Sequence, residues 1–337
     1  MRKNCIITLG IMAFFAGLLC VSACNHSSSA TEKNYRQEMR QLVQEISFYA
    51  KQINPDFVII PQNGVELVSI SGDDNGPVDM DYMAAIDGIG QESLNYGYAQ
   101  DDEETPESEN RWIRNFLDMA RNNSGIKILV TDYCSDQAKM ARSYALNNTN
   151  QYISFAADHR ALDAIPDYPV PVFNETAKNI SNLQQAQNFL YLINPDNAYS
   201  TRQDFVDAIT HTNYDLIIMD YFYNGQAFTH DQIEALKQKA NGGRRLLICY
   251  LSIGEAEDYR YYWQADWTIG HPHFVVDENP NWAGNYVVKY WDTGWKDILF
   301  GNYNSYLKKI IDAGFDGVYL DIIDAFEYFE DEYTAAN

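Results

Sequence analysis

The chain has 337 residues, 46% hydrophobic and 14% aromatic, enough for one barrel-sized core or two ordinary domains. Its formal charge of −23 leaves no basic stripe for phosphates and excludes nucleic acid as a partner. A cationic or neutral partner suits such a surface, which also keeps a protein soluble.

Arg2 and Lys3 precede the apolar stretch "IITLGIMAFFAGLLC", which is followed by "VSAC" ending at Cys24. A basic start, a short apolar segment and small residues describe a secretory signal, here residues 1–23. The stretch is short for a membrane span. "VSAC" resembles a bacterial lipobox, which implies that Cys24 is lipidated and anchors the mature protein to a membrane of the cell envelope, facing periplasm or cell surface. The alternative is an ordinary signal with a chance cysteine. Residues 24–35, with the Ser-rich "NHSSSATEKN", read as a flexible tether, and 36–337 as one domain. Cys5 and Cys20 leave with the signal, so Cys134 and Cys249 imply no disulfide framework. Six scattered histidines predict no metal site, and His271 and His273 read as loop residues. No Gly-rich phosphate loop is present; "NGGRR" at 241–245 reads as a turn, and no cofactor is expected.

Apolar runs then alternate with helical patterns. Strands are predicted at 57–62, 85–90, 126–133, 152–158, 189–195, 215–222, 245–252, 286–291 and 317–324. Helices are predicted at 36–53, 109–122, 201–211, 230–240 and 301–313. Continuous apolar strands separated by amphipathic helices argue for a parallel sheet covered by helices. Nine candidates for about eight places point to a (β/α)8 barrel, with "YISFAAD" at 152–158 as the extra strand. An open doubly wound sheet is the alternative, without its glycine fingerprint. The acidic 100–109 reads as a solvated loop.

Several strands end in polar residues: Gln62 and Asn63, Asp132, Asp220, Glu255 and Asp321. A barrel builds its active site at such ends, although a lone Asp there often only caps a helix. Rings crowd the same ends. Tyr250 lies in "LLICYLS", Glu257 and Arg260 in "EDYRYYW", and Trp282, Asn285, Tyr286 and Trp291 in "NPNWAGNYVVKYWD". Rings on apolar sugar faces with carboxylates between them describe a carbohydrate cleft; the plain alternative is that the rings are core. All of these, with Gln62, Asp132 and Asp321, are candidate substrate-binding residues. Glu257 and Arg260 would serve equally as a salt bridge ordering the strand end.

The segments "YLSIGEAEDYRYYW", "ENPNWAGNYVVKYWD", "GFDGVYLDIIDAFEYF", "NPDFVIIPQNGVEL" and "DGIGQESLNYG" resemble the motifs of glycoside hydrolases related to endo-α-1,4-polygalactosaminidase, family 114. "ADHRALDAIP" (157–166) is similar to the closing segment of that family. The resemblance covers the chain from about residue 36. It implies a (β/α)8 barrel, an extracytoplasmic setting and hydrolysis of an amino-sugar polymer such as cationic galactosaminan. The motif order differs: segments that come last in the relatives come first here. The chain thus looks circularly permuted, with the 36–53 helix completing the unit begun by the 317–324 strand. Glycosidic hydrolysis needs two carboxyl groups. Asp220 matches the acidic strand end of the family and is expected as the first. Glu278, Glu255, Glu257 and Asp321 are candidates for the second, with Glu278 favoured beside Trp282 and Asn285. Asn285 stands where the polygalactosaminidases carry the acid. Two other classes remain open: a lipid-anchored sugar-binding barrel without turnover, and a barrel aldolase using Lys127 or Lys289.

Overall fold

Runs such as Val58–Pro61 (VIIP) and Leu216–Met219 (LIIM) carry no polar side chain, and every residue in them is buried. Strands of this kind need cover on both faces, the condition met by parallel strands under a helix layer. The computed structural model, which describes residues 33–333, has that arrangement. The expected signal, Cys24 and the tether up to residue 32 lie outside the described residues.

The parallel strands are β1 (Val58–Pro61), β2 (Gly88–Glu92), β3 (Lys127–Tyr133), β4 (Ile153–Ala157), β5 (Leu190–Tyr191), β6 (Leu216–Met219), β7 (Leu246–Ser252) and β8 (Gly317–Asp321). They form a five-stranded sheet in the order β1-β8-β7-β6-β5 and a three-stranded sheet β2-β3-β4. Val58 pairs with Gly317, Gly317 with Ile248, and Leu216 with Leu246. A parallel bridge from Gln62 to Gly90 joins the two sheets, and the Asn63 N–H donates to Gly90 O at 2.8 Å. Side chains meet across the space between the sheets. The Tyr191 hydroxyl donates to Gln62 Oε1 at 3.1 Å. Tyr319 lies so close to β2 that a Cβ on Gly90 would sit 2.0 Å from its hydroxyl, which is why that position is glycine.

Helix α1 (Tyr35–Ile53) buries Met39, Leu42, Val43, Ile46 and Ala50, one stripe at helical spacing. Each fully buried aliphatic side chain of this kind contributes about 1.5–3 kcal/mol. Helix α1 packs between α2 (Met80–Ala85) and α8 (Tyr306–Ala313). Ser47 Oγ donates to Ala85 O at 2.6 Å on one side, and Lys296 of α7 (Thr293–Leu299) pairs with Glu45 at 2.7 Å on the other.

Two sequence expectations change. The 152–158 segment is a full member of the parallel set, β4, flanked by β3. The extra strand is instead the 286–291 candidate: Asn285–Val288 lies in a small antiparallel sheet between Glu255–Glu257 and Val275–Glu278. The chain enters that sheet through Gly254, where a Cβ would stand 2.2 Å from Ile322 O. Helices α2, α7, the short Ala325–Tyr328 and α4 (Gln137–Thr149) were not foreseen; α4, the longest of them, runs between α3 (Glu107–Ser124) and β4, and its buried face includes Ser143 and Asn147 instead of an apolar stripe.

Candidate active site

Side chains alternate along a strand, so parity decides which strand-end residues share a face. On β8, Tyr319 meets Gly90 of β2, and Asp321 follows two residues later on the same face. On β2, Gly90 is followed by Glu92 at the same spacing. Asp321 and Glu92 therefore both end at the carboxyl-end mouth, from strands separated only by β1.

Asp220, just past β6, is held firmly. Arg260 Nη1 lies 2.9 Å from its Oδ1 and 2.8 Å from its Oδ2, and the Phe222 N–H donates to Oδ1 at 2.7 Å. The same guanidinium grips Glu257, Nε to Oε2 at 2.6 Å and Nη2 to Oε1 at 3.1 Å. The Tyr259 hydroxyl donates to Glu257 Oε1 at 2.5 Å. Burial pushes the Asp220 carboxyl above its ordinary range, while Arg260 and the Phe222 N–H pull it back. The glutamate and arginine expected as an ordering salt bridge thus form a three-membered cluster with Asp220.

A second carboxyl group of residues surrounds Asp321. Tyr250 Oη donates to Asp321 Oδ2 at 2.7 Å, and the Ile322 N–H donates to Oδ1 at 2.9 Å. Ile322 adopts φ 59°, a left-handed backbone that a β-branched residue holds only at a cost of about 1–3 kcal/mol. Burial, then the charge of Glu92, raises the Asp321 carboxyl to about 7. Asp324 is pushed to about 8 by burial and then by Asp321. Glu92 accepts from the Tyr133 hydroxyl and from Asn63 Nδ2 at 3.3 Å. Glu255 is 4% exposed; Asn279 Nδ2 donates to its Oε1 at 2.8 Å, while Oε2 is buried without a partner. Burial raises its pKa against the pull of the Asn279 and Asn285 side chains.

The other expected residues divide. Gln62 and Tyr250 lie on the mouth side through their bonds to Tyr191 and Asp321. Asn285 pairs opposite Glu257 and so shares the face of Glu257 and Glu255. Glu278 pairs opposite Tyr286, as Ala256 does, which puts it on the other face of the hairpin. There it is exposed and accepts from the Gly284 N–H at 3.2 Å. Tyr286 stacks on Trp263 with centroids 4.7 Å apart, and Trp282 is 59% exposed. Trp291 leaves the loop altogether to pack on Tyr35 and Phe329. Asp132 corrects an expectation: it is 0% exposed and turned away from the mouth. Its carboxylate accepts from Asn95 N at 2.7 Å, Asn95 Nδ2 at 2.9 Å, Ser143 Oγ at 2.6 Å and Asn147 Nδ2 at 3.1 Å, which leaves nothing for a sugar. Its neighbour Tyr133 occupies the mouth side instead. Lys127 begins β3, at the end opposite the mouth.

Glu92 and Asp324 were not singled out from the sequence. Glu92 stands in the quoted motif "DGIGQESLNYG", but the strand there has one apolar side chain, Ile89, and its end was placed two residues early. Among the described residues no group of three or more His, Cys, Asp or Glu side chains is arranged to hold a metal ion.

Residues 173–337 match the family model described as glycoside-hydrolase family GH114. That stretch holds β5–β8 with Asp220, Glu255, Arg260 and Asp321; Gln62 and Glu92 precede it. An uncharacterized protein of Methanocaldococcus jannaschii is 41% identical over 167 residues, 47% of this chain and 45% of that one. Uncharacterized proteins of Thermotoga maritima and Deinococcus radiodurans are 40% and 38% identical over 37% of this chain, and over 37% and 38% of their own. The matches span less than half the length of each of these relatives. Over residues 173–337 the chain is thus similar to glycoside-hydrolase family GH114.

Proposed function

We propose that this protein hydrolyses glycosidic bonds of an amino-sugar polysaccharide, with Asp321 and Glu92 as the working carboxyl pair. The observation that carries the reading is their convergence at the mouth. Two carboxyls from β8 and β2 share one electrostatic environment, and the first is raised to about 7. Two-carboxyl hydrolysis needs one group that holds a proton at neutral pH and one that is ionised. Tyr250 and the strained Ile322 amide orient the first; Tyr133 and Asn63 orient the second. The bond from C1 to the leaving oxygen breaks as one carboxyl gives that oxygen its proton. The other either attacks C1 or takes a proton from the water that does.

Asp220, expected as the first carboxylate, serves here by fixing Arg260 and Glu257 at the rim. Glu278 lies on the far face of its hairpin, which leaves proton transfer to the near face. Neighbouring strands stand about 4.8 Å apart, so β8 and β2 place their Cα atoms about 10 Å apart, a span that two inward side chains narrow. The fold supporting this site is read as a closed (β/α)8 barrel: the Gln62–Gly90 bridge spans one seam and β4 packs on β5 at the other. Helix α1, seated between α8 and α2, occupies the place of the helix after β8, which supports a circular permutation. The leader read in residues 1–24 makes it an exported, lipid-anchored protein of the cell envelope.

The test is product analysis on a panel of amino-sugar polymers, partly deacetylated galactosaminan among them. New reducing ends and falling chain length support hydrolysis and show whether cutting is internal. Retention of the polymer without any shortening makes this a sugar-binding protein instead.

A further inference from the structure

The acidic loop at 100–109 and the segment at 157–166 meet at one side chain, Arg160. It lies in the turn after β4, at the carboxyl-end mouth. Its Nε donates to Asp101 Oδ1 at 2.5 Å and its Nη2 to Gly97 O. So held, the guanidinium covers the ring of Tyr133, with Cζ 4.1 Å from the ring centroid. The hydroxyl of that ring donates to Glu92. One line of contacts therefore runs from Asp101 through Arg160 and Tyr133 to a carboxylate of the working pair.

The surroundings are built for this stack. Gly97 has φ 105°, and a Cβ there would stand 2.9 Å from Tyr133 Cβ and 3.1 Å from Arg160 Nη2, a position that favours glycine. The Asp102 N–H donates to Tyr133 O and the Tyr133 N–H to Tyr96 O, each at 3.1 Å, which ties the backbone under the ring to the same loop. Tyr133 is 2% exposed, whereas the side chains of Arg160 and Asp101 are 36% and 38% exposed. An ion pair so exposed adds little to stability. What this one does is aim a cation at a buried ring.

A cation over the face of a phenol draws on the electrons of the ring and makes its O–H a stronger donor. Burial, then the charge of Glu92, drives the Tyr133 phenol well above the usual tyrosine range, and Arg160 pulls it back. Among the described residues Arg160 makes no ion pair with Glu92. Arg260 differs in this respect, because it grips Asp220 and Glu257 themselves and occupies their oxygens. A cation one ring away steadies a carboxylate without covering it. We propose that Arg160 is a positioning residue for Glu92, acting through Tyr133 by strengthening and aiming the bond that this phenol donates to the carboxylate. Its consequence for turnover rests on the hydrolase reading; the bond itself does not.

The test compares the parent with Arg160→Met, which keeps length and loses charge, and Arg160→Lys, which keeps charge. The first readout needs no turnover: the hydroxyl proton of Tyr133 in proton NMR, identified as the downfield signal that Tyr133→Phe removes. It should move upfield or be lost to exchange in Arg160→Met and stay near its parent position in Arg160→Lys. The second readout is kinetic, on the polymer that the parent shortens. Arg160→Met should lower kcat at least about tenfold with KM within about twofold, and Arg160→Lys should recover most of that loss. In a Tyr133→Phe background the same Arg160→Met change should alter kcat by less than about twofold, since its path is gone. Thermal melts check folding; if Arg160→Met does not fold, Asp101→Asn, which releases the guanidinium, carries both readouts. A parent without that signal, a signal unmoved in folded Arg160→Met, an unchanged kcat, or a kcat loss as large without the Tyr133 hydroxyl as with it overturns the proposal. A signal that moves as expected in a protein that shortens no polymer supports the linkage from Arg160 through Tyr133 to Glu92 and removes the hydrolase reading alone.

Discussion

Two carboxylate clusters share the mouth of this protein, and only one carries its own cation. Asp220, Arg260 and Glu257 satisfy one another with contacts of 2.6–3.1 Å. Asp321, Glu92, Asp324 and Glu255 do not, and Asp321 and Asp324 are driven to about 7 and 8. A perturbed acid beside an ion pair is therefore no sufficient sign of chemistry. The cluster left electrostatically unfinished by the chain is the one that a substrate can complete.

The sharpest way to break this contrast is to neutralise one member of each cluster. Asp321→Asn should lower turnover by about three orders of magnitude or more, at least about 4 kcal/mol of barrier. Asp220→Asn should cost far less turnover, under about a hundredfold, because Glu257 still holds Arg260. Steady-state rates on one polymer compare the two directly. If Asp220→Asn is the more damaging, the ion-paired cluster is the reactive one.

Removing the cation tests the same division through stability. Arg260→Ala leaves Asp220 and Glu257 buried without a counter-charge and should destabilise the fold by about 3–5 kcal/mol, read as a lower denaturation midpoint. A midpoint unchanged within error would mean that the cluster contributes little to the fold.

The unfinished cluster should also show itself in the pH dependence of stability. The folded carboxyl of Asp321 stands at about 7, above the ordinary 3.8 that it has once unfolded. Between about pH 4 and 7 the folded state keeps a proton that the unfolded state has released. This contribution is whole below pH 4 and is lost as pH rises through 7, up to about 4 kcal/mol for one such group. Asp321→Asn should flatten that decline in unfolding titrations from pH 4 to 8; an unchanged slope would show that the carboxyl is not raised. The smallest effect is expected at Glu278, whose exposed side chain caps a turn: Glu278→Gln should change turnover by less than about tenfold.

Much of this architecture was legible because buried parallel strands write themselves as apolar runs. VIIP, LIIM and LLICYLS announce β1, β6 and β7 without help from neighbours. The mouth was legible where such a run ends in a polar residue, as at Gln62 and Asp321. Parity was not. A run apolar on both faces does not say which way its last residue points, so Asp132 was expected in the site while Tyr133 occupies it. Glu92 escaped for the converse reason: β2 has glycines at 88 and 90, the second of which admits Tyr319, and a strand with a single apolar side chain leaves little pattern. Helix α4 escaped because Ser143 and Asn147 on its buried face serve the Asp132 carboxylate and interrupt the apolar stripe.

The most direct measurement is a time course of reducing ends released from partly deacetylated galactosaminan by the parent, Asp321→Asn and Glu92→Gln, each verified as folded by its thermal midpoint. The expected result is shortening by the parent and a loss of about a thousandfold or more in both variants. The variant that lost the proton donor should recover most activity on a 2,4-dinitrophenyl glycoside, whose leaving group needs no proton. Rates within about tenfold of the parent in either variant would contradict the assignment of Asp321 and Glu92 as the working pair.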